Sequence, residues 1–470
     1  MSLPLFWHGS FDERPDASLY LITTQNWLAG AGYSYLGTPF VIRPPGFPVL
    51  LAPVLASFGT SFAALNLYVS LWGVAAAMLF FAFARDRVRA PVAGALALAL
   101  YLNPLFRELS TQVMSDVPGL ALFFGCLLLE RRARRRSSAR GDVLAAIGIG
   151  LATWVRSGNL LIAPAVIVAR FWKHGFGAWR SLLTYAIVPP LVFAPWWVHT
   201  ARVEVPEPAV QTFLHSYGTA LFHEDVGDPA SRRLDLGDWW ERGGERVREV
   251  LPGLGGRLSV AGEGAEADLW LGLLALALVA ALAWRRRAPA EGAALLTALV
   301  LSLYFAYRPR LLLPVFAVAL LAAAELVQFA VARWRGRAWG DAAACALLVA
   351  LAAVDFRLPD REGIAAEERS FTLAADVVAR DFPDAVVATA QGWQLGVFLP
   401  GRDVWSLQRA FMRSGPSGPR AVVREQGVEV CLFDRTKPLH VAIRQSLADA
   451  LESAGRAGDW DLYLVQGAPR

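Results

Sequence analysis

Long apolar runs, broken by short arginine-bearing stretches, dominate the chain from about residue 61 to residue 355. Crossing a bilayer as a helix takes roughly 20 apolar residues, so these runs predict membrane spans. The pattern changes on either side. Residues 1–60 mix polar and apolar positions. Beyond 356, segments of helical and strand character alternate: helix over Glu367 to Arg380, strands over Ala385 to Ala388 and Val428 to Phe433, helix over His440 to Ala454, and a last strand over Leu462 to Val465. Such alternation predicts a small α/β domain. The chain is thus expected to hold an N-terminal segment with a first loop (1–60), a transmembrane helical domain (61–355) with a long polar loop at 202–266, and an α/β domain (356–470).

The basic residues give the runs a direction. They cluster at Arg85, Arg87 and Arg89; at Arg131 to Arg140; at Arg170, Lys173 and Arg180; at Arg285 to Arg287; and at Arg333 to Arg337. Lys and Arg gather in cytoplasmic loops, so all five clusters belong on the inner side. Each stretch between two clusters must then cross the membrane out and back. The outer turns fall near Arg107 to Asp116, at Arg156 to Asn159, within 202–266, and at Tyr307 to Arg310. With one crossing on each flank, the expectation is ten crossings. The pair between 143 and 169 is short for two straight spans. Residues 1–60 and the tail from 356 lie outside. No cleavable signal peptide is visible, so insertion is expected to start from an internal segment.

Composition agrees. Of 470 residues 55% are hydrophobic and only 18% charged, against about 25% charge in soluble domains; mean hydropathy is +0.40. The net charge of +5 does not point to nucleic acid, because the arginines sit in the inner loops. Cys126 and Cys345 lie in apolar runs and Cys431 stands alone, which excludes a disulfide frame and a CxxC-type metal site. No HExxH, Walker-type loop or GxSxG elbow is present.

The outer face collects the candidate chemistry: Asp12, Glu13, Asp16, Arg43, Asp116, Arg156, Arg308 and Arg310. Charged groups near hydrocarbon depth usually line a cavity or pair with one another. Arginine forks match phosphate, and a nearby carboxylate can accept a proton from an attacking hydroxyl. Structural roles stand beside these. Asp16 and Asp116 each precede a helical run and suit a helix cap. Arg308 and Arg310 could anchor a helix end at the headgroups, and Arg156 could pair with an acid. His199 reads as an interfacial side chain.

The order of these features resembles the GT-C superfamily of membrane glycosyltransferases, in particular the branch of protein O-mannosyltransferases and lipid A aminoarabinose transferases. The matching residues are Asp16-Ala17-Ser18-Leu19-Tyr20, Gly30 to Tyr33, Arg43-Pro44-Pro45-Gly46-Phe47-Pro48, Ser115-Asp116-Val117-Pro118, Trp154-Val155-Arg156, Ala194-Pro195-Trp196-Trp197, and Tyr307-Arg308-Pro309-Arg310 leading to Pro314. They run over most of residues 16–330. The resemblance implies a GT-C-like fold, with Asp16 as catalytic base four residues before Tyr20 and Arg43 on donor phosphate. It implies Asp116 as a second acid, and Arg156, Arg308 and Arg310 around the lipid phosphate. The family often has Asp-Glu where this chain has Asp16-Ala17, and it normally places a transmembrane helix before its first outer loop. Here fifteen residues precede Asp16, so either the start is truncated or a polar tail is translocated without that helix.

The resulting expectation is an inverting transferase in a cell membrane, of the prokaryotic plasma or inner type, acting on the extracytoplasmic face. It would move a hexosyl or pentosyl unit from a polyprenyl-phosphate-linked donor to a lipid, glycan or protein acceptor, with no nucleic-acid partner. No cofactor is required by the pattern, and a divalent metal held by the acids stays open. The alternatives are a transporter or flippase of polyprenyl-linked glycans and a non-catalytic assembly subunit.

Overall fold

The computed structural model describes residues 7–11, 15–203, 221–224, 231–258, 265–304, 308–354 and 360–467. The chain divides into two compact units. One holds Met1–Trp7, Leu67–Val198 and Arg233–Pro359, and the other holds His8–Asn66, His199–Arg232 and Asp360–Arg470.

The first unit is helical. Each run expected to cross the membrane carries a helix, including the short pair, seen as Ala139–Val155 and Ile162–His174. Four helical stretches are long and apolar enough to span on their own: Phe62–Ala84, Ser157–Arg202, Glu266–Arg286 and Pro309–Arg335. A fifth arises if Ala90–Leu102 and Pro104–Ser110, bent by 67°, form one broken span. The bend sits at Asn103-Pro104, where proline cannot continue the preceding helix and the Asn103 side chain accepts the Phe106 amide at 3.3 Å. Several remaining helices are too short for the same test, Pro289–Ser302 among them. The chain is a multi-pass membrane protein, in which four spans, or five with the bent pair, stand by length and composition among the described residues.

Four of the five basic clusters make ion pairs or hydrogen bonds within this unit. Arg131 and Arg135 reach Asp86 at 2.8 and 2.6 Å. Arg89 pairs with Asp341 at 3.0 Å. Arg87 pairs with Glu291 and, at 3.0 Å, with Glu325, which Arg286 also reaches at 2.6 Å. Arg170 holds Asp142 at 2.7 Å and Glu130 at 3.2 Å, and Arg287 donates to the Trp172 carbonyl. Buried charge is costly unless paired. Glu291 and Glu130, each 1% exposed, are therefore tolerated only because these arginines face them.

The second unit holds a five-stranded sheet in the spatial order Val404–Ser406, Val387–Thr389, Val430–Asp434, Trp460–Val465, Leu451–Ala457. The first three strands run parallel, and the last two are antiparallel additions. Leu407, Val422, Cys431, Phe433, Ile443 and Leu447 form the core on one face. The helix expected over His440 to Ala454 ends at Ser446, and Leu451–Ala457 is an edge strand with a bulge between Ser453 and Gly455. Leu447, Leu451 and Ala454 mimic helical spacing, but pairing with Trp460–Val465 decides the outcome. The strand Val404–Ser406 begins directly after Asp403.

Residues 8–66 belong to the same compact unit as this sheet. Phe11 is buried against Phe62, Phe371 and Phe398, with ring centroids 5.1, 5.9 and 5.1 Å away. Ile22 lies over Gly396, where an added Cβ would come within 3.1 Å of its Cδ1. Gln25 donates to the Val397 carbonyl at 3.3 Å. The helix Pro15–Leu28 is thereby clamped on the tail.

Candidate functional site

Two acid–guanidinium constellations emerge, one in each unit. In the second unit Asp16 is the second residue of the helix Pro15–Leu28, in the first turn, where the helix dipole favours a carboxylate. Its Oδ1 accepts from Arg43 Nη2 at 2.5 Å, and the two side chains are 16% and 12% exposed. The Arg43 guanidinium carbon also lies 5.2 Å from the Tyr20 ring centre. Tyr20 is held edge-on to Phe47 at 4.9 Å. Asp16, Tyr20 and Arg43, named separately from the sequence, are thus one cluster.

Local folding explains how Arg43 is aimed. The hairpin Ser34–Tyr35/Thr38–Pro39 turns through Leu36 and Gly37, both at positive φ (51° and 66°), the geometry of a tight two-residue hairpin turn. It returns the chain so that the Tyr33 hydroxyl donates to the Arg43 carbonyl at 3.0 Å. Pro44 and Pro45 then stiffen the entry to the helix Gly46–Phe58. His199 Nε2 donates to the Phe40 carbonyl at 3.2 Å, a structural use of that ring.

In the first unit Asp116 opens the helix Asp116–Arg135, with Ser115 at the cap position. Asp116 Oδ1 meets Arg156 Nη2 at 2.8 Å, with side-chain exposures of 2% and 17%. Arg156 ends the helix Ala139–Val155. Both residues lie at the end of their helical hairpin away from the Arg131–Arg140 turn, roughly 30 Å along a 20-residue helix. Gly119 makes room for the arginine: a Cβ there would stand 2.6 Å from Arg156 Cδ. Asn159 donates to the Gly119 and Ala152 carbonyls at 3.1 and 3.2 Å and fixes the turn that presents Arg156. Arg310 Nη1 lies 3.8 Å from Met114 Sδ, two residues before Asp116. Arg308 is exposed and makes no ion pair among the described residues. Asp12, Glu13 and Tyr307 lie outside the described residues.

Ser115, not Asp116, holds the cap position of its helix, and both acids pair with an arginine. Gly119 and Asn159 were not singled out from the sequence. The polar turn Ser157-Gly158-Asn159 after a buried-charge candidate was the available signal. Arg107, 8% exposed in the bent segment, is a further buried cation in the first unit. In the tail, Asp434 accepts from the Thr436 amide at 2.9 Å, a turn role. Among the described residues no three His, Cys, Asp or Glu side chains gather as a metal-ligand set.

Residues 42–199 match the family described as dolichyl-phosphate-mannose-protein mannosyltransferase. A comparison with curated protein sequences returns no match. Among solved structures, ArnT from Cupriavidus metallidurans in the apo state is similar with a TM-score of 0.60 at 15% identity, over 98% of this chain and 95% of that one. The same enzyme bound to undecaprenyl phosphate gives 0.59 at 15%, over 100% and 96%. The Archaeoglobus fulgidus oligosaccharyltransferase in complex with zinc and sulfate gives 0.51 at 14%, over 91% of this chain and 64% of that one. In fold, and in the stretch 42–199, the chain resembles the GT-C superfamily of membrane glycosyltransferases.

Proposed function

We propose that this protein is a glycosyltransferase that moves a sugar from a polyprenyl-phosphate-linked donor to an acceptor hydroxyl on the extracytoplasmic face of a prokaryotic plasma or inner membrane. The observation that carries this reading is the Asp16–Arg43 pair beside Tyr20, a proton acceptor and a phosphate-matching fork held in one cluster. The carrier is suggested by the undecaprenyl phosphate bound to the similar ArnT structure. The ten helical runs would be ten crossings, with both termini outside.

Asp16 takes the proton of the acceptor hydroxyl, whether on a lipid, a glycan or a protein. The freed oxygen attacks the anomeric carbon as its bond to the phosphate oxygen breaks. That bond's electron pair leaves with the polyprenyl phosphate, and attack from the opposite face inverts the anomeric centre. Arg43 offers several N–H donors, so it can hold Asp16 in the resting protein and take the phosphate when the donor arrives. Preformed donors aimed at developing charge need no reorganisation during the reaction. Asp116 is the second acid, and Arg156, Arg308 and Arg310 contribute to binding the lipid phosphate. A divalent metal would find carboxylate oxygen at Asp16 or Asp116, and assay with and without chelator decides its part.

The test compares carrier-linked sugars in cells with the gene, without it, and with only the Asp16→Asn form. One carrier-linked species should accumulate in the last two. Identical pools in all three would overturn the reading.

A further inference from the structure

The tail carries a cleft that the proposed transfer does not use. It measures about 550 Å³ and is lined by Ala410, Ser414, Ser417, Gly418 and Ala421 with three arginines, Arg413, Arg420 and Arg424. No carboxylate lines it. The helices Gln408–Ser414 and Ser417–Glu425 form its walls. They approach closely because residue 418 is glycine: a Cβ there would meet the Ala410 carbonyl oxygen at 2.0 Å. This contact fixes the angle that brings three guanidiniums to one opening.

All three arginines are exposed. Surface cations of this unit are matched by acids, Arg435 with Asp459 at 3.2 Å, Lys437 with Glu367 at 2.9 Å and Arg456 with Asp461 at 2.9 Å, and so is one of the cleft arginines. At the cleft, Arg420 is held from behind, its Nε on the Ser446 carbonyl at 2.9 Å and its Nη2 on Asp449 at 2.7 Å. Arg424 makes no ion pair among the described residues. The positive end of the Ser417–Glu425 helix adds to the same field. Like charges gathered around a recess repel one another unless an anion shares them, and an arginine oriented by its rear contacts is prepared to do so.

We propose that this cleft binds an oxoanion-bearing sugar, one substituted with phosphate or carboxylate. The volume sets the class, because small-molecule sites run to about 300–1,000 Å³ and a lone phosphate ion would leave most of this space empty. Ser414 supplies a hydroxyl for the sugar ring, and Ser417, whose hydroxyl donates to the Ser414 carbonyl at 2.8 Å, offers an acceptor. The site stands independently of the proposed transfer, so its test is one of binding.

The full chain in phosphatidylcholine nanodiscs is titrated with glucose 1-phosphate, with glucose and with inorganic phosphate, alongside Arg413→Ala/Arg424→Ala and Arg43→Ala. Glucose 1-phosphate should bind saturably and at least tenfold more weakly to the double variant, while glucose should not bind. The Arg43→Ala protein should keep this site, which separates it from the transfer centre. A double lysine variant should recover part of the affinity and controls for folding. Unchanged glucose 1-phosphate binding in the double alanine variant would overturn the proposal. So would equal binding of glucose, or loss of wild-type binding in phosphatidylglycerol nanodiscs alone with none in phosphatidylcholine, which would indicate a lipid headgroup as the ligand.

Discussion

The Asp116–Arg156 pair yields a prediction whose size can be worked out from burial. Asp116 is 2% exposed and Arg156 17%, with 2.8 Å between Oδ1 and Nη2. Arg156→Gln leaves a buried carboxylate without its counter-charge, which should cost about 3–5 kcal/mol of stability. Asp116→Asn is milder, about 1–3 kcal/mol, because the more exposed guanidinium can lean toward water. The double variant has no charge to strand, so it should be less destabilised than the sum of the singles by about 0.5–3 kcal/mol. Gly119→Ala probes the same geometry without touching a charge: its Cβ falls 2.6 Å from Arg156 Cδ and forces the stem aside, at about 1–3 kcal/mol. Denaturant titration of detergent-solubilised protein reads all four. Additivity of Asp116→Asn and Arg156→Gln to within about 0.5 kcal/mol would refute the coupling. If both residues also serve the donor, the double variant regains stability but not transfer.

Three further outcomes follow from the second unit. Arg43→Lys keeps the charge but loses the fork, so it should weaken donor use less than Arg43→Ala, with the difference in KM; equal KM for both would remove the phosphate role. Phe11→Ala, emptying the site between Phe62, Phe371 and Phe398, should cost about 3–5 kcal/mol and expose Pro15–Leu28 to limited proteolysis; an unchanged digestion pattern would contradict clamping by the tail. Burial pushes the Cys431 thiol up to about 12, so it should resist a thiol reagent at pH 8 until the protein unfolds. Because the folded value is the higher, its contribution to stability is complete below the ordinary thiol range and fades as pH rises toward 12; labelling of the native protein at pH 8 would show the strand to be open.

Much of the helical unit was legible because a bilayer imposes a length and hydropathy that single apolar runs display. The arginine clusters were legible for a similar reason, since their distribution follows a rule about loops. Which acid each arginine meets was not. Asp86, Glu291 and Glu325 are separated in sequence from Arg135, Arg87 and Arg286 by packing that no local pattern records. The same holds for residues 8–66, whose inclusion in one unit with the tail depends on contacts such as Phe11 with Phe398, more than 350 positions apart. At the candidate sites the residue types and order were readable. The cap reading of Asp116 failed because a helix-start signal cannot tell which way a carboxylate in the first turn points. The start of the strand Leu451–Ala457 was misread since Leu447, Leu451 and Ala454, at four- and three-residue spacing, satisfy a helical pattern until the partner strand is known.

The central claim is that Asp16 removes the acceptor proton, and purified Asp16→Asn protein tests it most directly. Asn keeps the size and accepts a hydrogen bond from Arg43, but it cannot take a proton usefully. Insertion and donor binding should survive, and single-turnover transfer from a polyprenyl-phosphate sugar should fall by roughly 100-fold or more. Asp12→Asn, prepared in parallel, should transfer at close to the wild-type rate. A folded Asp16→Asn protein that transfers sugar as fast as wild type would contradict the account and move the base to Asp116.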